Sequence, residues 1–224
     1  MIQPPASEEE LFDRARQLAG RRLSDIARDC ATPLPDRPGR AKGWSGVLLE
    51  TALGATAASR PEPDFQGLGV EMKSVPVDPR GKPRESTYIC TVPVPGTGSP
   101  NWEESNVRRK LARVLWVPIV GAPGTAPADR CVGAPLLWSP SAAEEAALRA
   151  DWEELMDLVC LGRVDEISAR HGTCLQIRPK AANAAVRQRS VGTDGAPAQR
   201  LPRGFYLRAS FTGGLFARHF ARAV

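Results

Sequence analysis

Residues 61–73 read Pro61-Glu62-Pro63-Asp64-Phe65-Gln66-Gly67-Leu68-Gly69-Val70-Glu71-Met72-Lys73. From Leu68 onward, apolar residues alternate with other types, which is the period-2 pattern of a strand with one buried face. The alternation puts Glu71 and Lys73 on the same face of that strand. The prolines and glycines before it predict a turn that can hold Asp64 beside that face.

Two carboxylates and a lysine that converge on one point suit metal-assisted attack on a phosphodiester. Asp64 and Glu71 supply hard oxygen ligands for Mg2+, and the ammonium of Lys73 can orient water or stabilise charge on phosphorus. The spacing Asp-x6-Glu-x-Lys also occurs on the solvent-facing side of ordinary strands, so the pattern alone leaves that alternative open. Glu50 lies upstream in an apolar helical segment, where the structural alternative is a surface glutamate.

The composition indicates a loop-rich, basic protein. The chain has 224 residues with 20 Gly, 21 Pro and a net charge of +5, and positive charge permits a polyanionic partner without requiring one. Five scattered cysteines and two histidines exclude a zinc ribbon and a histidine metal cage, and predict small, buried, reduced thiols. With no signal peptide and no apolar run of membrane-spanning length, we expect a cytoplasmic protein with no membrane partner.

Cap and period signals predict alternating helices and strands. Ser7 with Glu10 and Ser141 with Glu144 form capping boxes, the second before the longest helix. Further helices are expected after caps at Ser24 and Ser105, and at residues 42–54 and 211–220. Strands are expected at residues 86–94, 114–120, 131–139, 173–177 and 204–207.

Three other features are open to interpretation from the residues alone. A turn at residues 78–81 predicts that the strand at 86–94 forms a hairpin with the first strand. Residues 187–200 have the composition of an exposed, mobile loop. A basic cluster, made up of Arg108, Arg109, Lys110 and Arg113, is either a solvated helix face or an edge that contacts phosphates.

Blocks spread over nearly the whole chain resemble, in order, the MutH family of strand-nicking endonucleases of DNA mismatch repair. The blocks are Lys42-Gly43-Trp44, Gly46-Val47-Leu48-Leu49-Glu50, Pro63-Asp64-Phe65, Gly69-Val70-Glu71-Met72-Lys73, Val107-Arg108-Arg109-Lys110-Leu111, Leu136-Leu137-Trp138-Ser139-Pro140, Asp151-Trp152-Glu153-Glu154-Leu155-Met156, Gln176-Ile177-Arg178-Pro179-Lys180-Ala181-Ala182-Asn183 and Leu201-Pro202-Arg203-Gly204-Phe205-Tyr206-Leu207. Clear departures fall in loops, at residues 31–40, 121–130 and 187–200.

The resemblance implies a restriction-endonuclease-like α/β fold, in which a mixed sheet is flanked by helices. Residues 1–224 would form a single endonuclease domain with two lobes around a DNA cleft. It further implies that Asp64 and Glu71 bind Mg2+, that Lys73 assists the attacking water, and that Glu50 completes the acidic and metal-binding cluster.

The implied activity is incision of the unmethylated strand at hemimethylated GATC sites, 5' to the G, on activation by MutL and MutS. Arg178 and Lys180 offer donors suited to the major groove, and by analogy they read bases together with Tyr206. Tyr88, Lys42 and Lys110 are expected along the DNA, with a strand aromatic and two solvated lysines as the structural alternatives.

Two rival functions share much of this pattern. A stand-alone type II restriction endonuclease would cut both strands at GATC without an activator. A DNA-binding module that has lost catalysis would need neither Asp64, Glu71 nor Lys73, and their presence argues against it.

Overall fold

The computed structural model describes residues 2–35, 43–57, 62–93, 101–180, 188–191 and 197–220. They form two compact units. The first comprises Met1–Glu85, Ala112–Ser139 and Leu215–Val224, and the second comprises Ser86–Leu111 and Pro140–Gly214.

Helices and strands alternate along the chain. The helices are α1 (Glu8–Leu18), α2 (Leu23–Asp29), α3 (Trp44–Leu53), α4 (Asn106–Leu111), α5 (Ala142–Cys160) and α6 (Ala209–Phe220). The strands are β1 (Glu71–Val77), β2 (Thr87–Thr91), β3 (Val114–Val120), β4 (Cys131–Val132), β5 (Leu136–Trp138), β6 (Leu175–Pro179), β7 (Gln188–Val191), β8 (Pro197–Arg200) and β9 (Arg203–Leu207).

The first unit contains a mixed sheet. β1 runs parallel to β3, with Glu71 opposite Val114, whereas β4 and β5 both pair antiparallel with β3. β1 therefore lies at an edge of this sheet. The mixed α/β architecture with flanking helices that the resemblance implies is thus confirmed.

β3 is buried on both faces, which explains its uninterrupted apolar sequence. On one face, Leu115 and Val117 pack into a core cluster with residues of α1, α2 and α3. On the other, Trp116 is 0% exposed and its ring packs edge-on against those of Trp138 and Phe216. Each such side chain contributes about 1.5 to 3 kcal/mol to folding by its burial.

β1 begins later than the alternation predicts. Gln66–Leu68 forms a single 3-10 turn that ends at Gly69, whose φ of 66° favours glycine. The expectation of one buried and one solvent-facing side is wrong at Glu71, which is 3% exposed while its neighbour Met72 is 4% exposed. Because β1 is paired in parallel to a strand covered on both faces, it too is buried on both sides at this point.

The predicted hairpin between β1 and the next strand is wrong. The turn itself is present, with the Asp78 side chain accepting from the backbone N–H groups of Arg80 and Lys82. β2 nevertheless pairs with β9, far along the chain. A turn signal fixes where the chain reverses and not which strand becomes the partner.

The second unit contains an antiparallel sheet in the order β2-β9-β6. Helix α5 packs against β6. The buried residues of one face alternate along the strands, and they are Ile89, Leu175, Ile177, Phe205 and Leu207. The opposite face is therefore left for more polar side chains.

A buried carboxylate fixes the start of β6. Asp151, in α5, is 6% exposed and accepts hydrogen bonds from the backbone N–H groups of Thr173, Cys174 and Leu175 at 2.9, 2.5 and 2.8 Å. Charge-assisted bonds of this kind are stronger than neutral ones. Asp151 thereby ties the helix to the strand that leads to Arg178.

Residues 188–191 and 197–200 form strands, where the composition predicts a loop. β7 and β8 pair as a small antiparallel ladder, with Gln188 opposite Arg200 and Val191 opposite Pro197. Polar segments can pair through their backbone groups alone, and composition does not reveal such pairing. The expectation of a loop is thus corrected where the structure describes this stretch.

Three of the four predicted helix caps are confirmed. Ser7 and Ser141 accept from the N–H of the third residue of their helices, and Ser105 accepts from Arg108 N–H at 3.1 Å. Ser24 is not a cap, because α2 already begins at Leu23 and its N-cap makes no side-chain hydrogen bond.

Two further observations concern membrane-spanning helices and the cysteines. In the part of the chain that the structure describes, no helix combines the length and apolarity needed to cross a membrane. All five cysteines are free; Cys160 is exposed and the other four are partly buried. They are therefore less buried than predicted.

Candidate functional site

Asp64 is fixed against the beginning of β1. Its Oδ2 accepts a hydrogen bond of 2.8 Å from the backbone N–H of Met72, and its carbonyl oxygen accepts from the N–H groups of Thr56 and Ala57. The next residue, Phe65, bridges to Val70 and closes the turn. This arrangement holds the Asp64 carboxylate beside the peptide that joins Glu71 to Met72, at the edge of the sheet.

Glu71 and Lys73 form a buried ion pair. Lys73 Nζ donates to Glu71 Oε1 at 2.6 Å, and the side chains are 15% and 3% exposed. Their spacing of two residues in a strand places them on the same face, as predicted. A carboxylate so far from water depends on a cation, because an unpaired buried charge is strongly destabilising.

Glu50 approaches β1 from α3. A Cβ built on Gly46 would lie 3.5 Å from Ser74 Oγ and 3.9 Å from Glu50 Oε1, so the glycine leaves room where Ser74 of β1 meets α3 near Glu50. Strand alternation puts Ser74 on the opposite side of β1 from Glu71 and Lys73. The structure therefore brings helix α3, which carries Glu50, against β1, and the role of Glu50 in the acidic cluster stays a prediction.

The carboxylates of this site fit a Mg2+ ion that is held partly by water and substrate. Within the described ranges, no three His, Cys, Asp or Glu side chains converge closely enough to form a metal cage. Mg2+ is commonly held by one or two carboxylates, with waters and substrate phosphate oxygens completing its octahedron. Asp64 and Glu71 supply such carboxylates, because the bond from Met72 N–H draws Asp64 to the strand that carries Glu71.

A second group of predicted site residues lies on the sheet β2-β9-β6. Tyr88 of β2 is opposite Tyr206 of β9, and Gln176 of β6 is opposite Tyr206 on its other side. Arg178 follows Gln176 by two residues and so shares its face. This face is the one opposite the buried residues.

Aromatic rings and cations alternate on this face. The Tyr88 and Tyr206 rings meet edge to face, with centroids 5.4 Å apart. Arg178 Cζ lies 5.9 Å from the Tyr206 centroid, and Lys180 Nζ lies 4.2 Å from the Tyr88 centroid. Each cation–π contact at an exposed site is worth about 0.5 to 1 kcal/mol. We call these four side chains the cation–tyrosine ladder.

Sequence reasoning missed a residue that completes the ladder. Lys180 Nζ donates to Tyr88 Oη at 2.5 Å and to Thr91 Oγ1 at 3.3 Å, and the two hydroxyls are 3.0 Å apart. Thr91 carries no motif of its own. Its position three residues after Tyr88 in a predicted strand was the only available signal.

The basic cluster does not act as one surface. Arg108 Nε donates to Glu145 Oε1 at 2.7 Å, and Arg113 is paired with Glu8. Partial burial raises the pKa of Glu145, but the hydrogen bonds from Arg108 and Trp102 outweigh it, so the pKa is held below its usual value. Lys110 is partly buried at the end of α4. Two of the four residues of the basic cluster are thus already held in ion pairs with carboxylates.

The predicted site residues divide between the two units. Glu50, Asp64, Glu71 and Lys73 belong to the first; Tyr88, Lys110, Arg178, Lys180 and Tyr206 belong to the second. Lys42 lies outside the described residues, so its role along DNA stays a prediction.

A mixed sheet whose edge strand carries a Glu-x-Lys pair with an aspartate beside it defines the restriction-endonuclease-like class of α/β proteins. Comparison with known proteins gives the family. A model described as "DNA mismatch repair enzyme MutH" matches residues 53–151, a stretch that includes Asp64, Glu71 and Lys73.

Curated relatives match along nearly the whole chain, and each is named "DNA mismatch repair protein MutH". The relative from Serratia proteamaculans (strain 568) is 53% identical over 217 residues, covering 97% of this chain and 95% of the relative. That from Klebsiella pneumoniae subsp. pneumoniae is 52% identical over 220 residues, covering 98% and 95%. That from Salmonella paratyphi B is 53% identical over 220 residues, with the same coverage.

The chain belongs to the MutH family. It is accordingly an endonuclease of DNA mismatch repair, an enzyme that acts on DNA.

Proposed function

We propose that this endonuclease depends on Mg2+ and nicks the unmethylated strand of hemimethylated GATC sites, 5' to the G, when MutL and MutS activate it. The observation that carries the catalytic part is the buried Glu71–Lys73 pair with Asp64 held against the same strand. Family membership supports the choice of substrate and partners.

The catalytic residues divide the work of phosphodiester hydrolysis. Asp64 and Glu71 would hold Mg2+, with Glu50 completing the acidic cluster, and the ion when bound supplies Lewis-acid stabilisation of the phosphoryl oxygens. Lys73 keeps its ammonium at a fixed point through the bond to Glu71. A preorganised cation there would orient the attacking water and oppose the charge that develops on phosphorus.

Substrate recognition would fall to the cation–tyrosine ladder. Arg178 has the planar fork that matches the two acceptors of a guanine in the major groove, and Lys180 adds a flexible donor. Tyr206 presents a rigid ring with a hydroxyl beside Arg178. We assign to it the adenine of GATC, where a methyl on the amino group would change the fit. The residues that would lie along the DNA outside this contact are Tyr88, Lys42 and Lys110.

The enzyme would act in the cytoplasm with its partners. Five free cysteines suit a reducing compartment. Activation by MutL would follow from a population shift, in which MutL prefers the cutting-competent arrangement; a preference of about 1.4 kcal/mol changes the ratio of arrangements tenfold.

A first experiment tests the catalytic assignment by separating nicking from binding. We expect Asp64→Ala and Glu71→Ala to lose Mg2+-dependent nicking of a GATC plasmid while retaining affinity for the same DNA, because they remove metal ligands and no DNA contact. Lys73→Ala should also lose cleavage yet still bind metal. Glu9→Ala, exposed on α1, is the control and should nick normally. Wild-type rates in either carboxylate variant would overturn the assignment.

A second experiment tests base reading. Arg178→Ala should reduce discrimination between GATC and scrambled duplexes by about 1 to 3 kcal/mol, the value of a bidentate guanine contact. Lys110→Ala should instead weaken binding to both duplexes alike and lower the salt dependence, as expected of a phosphate contact. An unchanged GATC preference in the Arg178 variant would remove it from base reading.

A further inference from the structure

The sheet that carries the cation–tyrosine ladder has a glycine, Gly204, in its middle strand. Gly204 lies in the middle strand, β9, opposite Thr91 of β2 on one side and Arg178 of β6 on the other. Strand alternation puts it on the same face as Tyr206, two residues away. The side chains of the ladder thus surround a position that has no Cβ.

The two tyrosine rings occupy the space that a side chain would need. A Cβ built on Gly204 would lie 2.8 Å from Tyr88 Cε2 and 3.2 Å from Tyr206 Cε2. The first distance is shorter than real Cβ contacts, and the second is tighter than most of them. The colliding atoms belong to rigid rings, so relief requires that whole rings move.

The backbone itself does not require a glycine here. Gly204 has no left-handed φ, unlike Gly69 and Gly81, and it is paired on both sides within a regular strand. Alanine would therefore fit the main chain. What alanine disturbs is the seating of Tyr88 and Tyr206.

Movement of the rings would carry both cations with it. Lys180 follows the outer strand β6, yet its Nζ reaches Tyr88 and Thr91 on the other outer strand, β2. That path crosses β9, where Gly204 leaves the face open. Arg178 would likewise lose its cation–π contact with the Tyr206 ring.

We propose that Gly204 is a positioning residue for GATC recognition: its missing side chain lets Tyr88 and Tyr206 pack together, and the packed rings hold Lys180 and Arg178 in place. The proposal rests on the proposed function, since it concerns how that enzyme selects its site.

Spectroscopy can report on the rings without any DNA. Tyr88 and Tyr206 are the only two tyrosines of the chain, so NMR spectra of protein with 13C-labelled tyrosine contain signals from this pair alone. We expect Gly204→Ala to shift both sets of ring signals. Gly67→Ala is the matched control, because a Cβ there meets nothing within 4 Å, and it should shift neither.

A double-mutant cycle then connects the rings to specificity. The measured quantity is the ratio of affinities for hemimethylated GATC and scrambled duplexes at fixed salt. We expect Gly204→Ala to lower this ratio about tenfold, within the range of one base contact. In a Tyr88→Ala background, which removes the nearer ring, the same change should lower the ratio by less than about threefold, because contacting residues couple.

Thermal unfolding distinguishes a change in base recognition from a general loss of stability. Gly204→Ala should keep its melting midpoint close to wild type, and if it does not fold, recovery of folding in the Tyr88→Ala double variant supports the collision. An unchanged affinity ratio despite shifted tyrosine signals would overturn the positioning role, as would an equal loss in both backgrounds. A wild-type chain with no GATC preference would instead overturn the proposed function, which the tyrosine signals do not test.

Discussion

Replacing Lys73 with methionine should destabilise the first unit through Glu71. Methionine keeps the length of the lysine stem but removes the ammonium that lies 2.6 Å from Glu71 Oε1. The glutamate side chain is 3% exposed and cannot turn to water without moving the strand. Breaking a buried pair by removing one partner costs about 3 to 5 kcal/mol. Because Lys73 is itself 15% exposed, we expect the lower end, about 3 kcal/mol.

The assay is thermal unfolding followed by circular dichroism at pH 7.5 in EDTA. For a chain of this size, 1 kcal/mol lowers the melting midpoint by about 2 to 4 °C, so Lys73→Met should melt about 6 to 12 °C below wild type. The double variant Glu71→Gln/Lys73→Met removes both charges of this pair and should recover most of this loss. Lys82→Met, an exposed lysine in the turn after β1, should stay within about 0.5 kcal/mol of wild type.

Two results would refute this reasoning. If Lys73→Met melted within 2 °C of wild type, taking ~2 °C as the shift for a loss below 1 kcal/mol, Glu71 would not depend on the lysine. If the double variant were as unstable as the single one, the loss would come from packing of the lysine stem and not from breaking the Glu71–Lys73 pair.

Three further predictions concern the second unit. Asp151→Asn should lower the free energy of unfolding by about 2 to 3 kcal/mol, since the carboxylate accepts three backbone N–H bonds at the start of β6. Chemical denaturation measures this loss with Glu153→Gln as the exposed control, and a loss below about 0.5 kcal/mol in Asp151→Asn would contradict the prediction. Arg108 and Trp102 hold the pKa of Glu145 below its usual 4.5 against the effect of partial burial. The contribution of the Glu145 carboxylate to stability is therefore present above pH 4.5 and disappears as the pH falls through the lowered pKa. Glu145→Gln should be less stable than wild type at pH 7 and equally stable in acid, and a stability difference that does not change with pH would count against the ion pair. Burial raises the pKa of the Cys174 thiol, so at pH 8 iodoacetamide should modify the exposed Cys160 first, and faster labelling of Cys174, read by peptide mass mapping, would contradict this.

The parts of the fold that the sequence predicts well are those set by local patterns. β3 occupies the predicted residues 114–120 because a strand covered on both faces needs an apolar run. The capping box at Ser141 marks the beginning of α5 correctly. The partner of β2 was predicted wrongly, because β9 lies beyond the reach of any local signal.

The candidate site divides in the same way. The Glu71–Lys73 pair follows from strand alternation within three residues. The bond between Lys180 and Tyr88 joins residues separated by 92 positions, and the Arg108–Glu145 pair spans 37. Such pairs depend on tertiary packing, so a run of basic residues could not reveal which arginine is already paired.

The most direct test of the proposed function is a time course of nicking on a hemimethylated GATC duplex with both strands separately labelled. With Mg2+ at fixed salt, we predict one cut, 5' to the G on the unmethylated strand, that MutL with ATP accelerates without changing the strand. Fully methylated DNA should stay intact, and Glu71→Gln should not cut. Rapid cleavage of both strands by the protein alone, unaffected by MutL, would contradict the account and favour a restriction endonuclease.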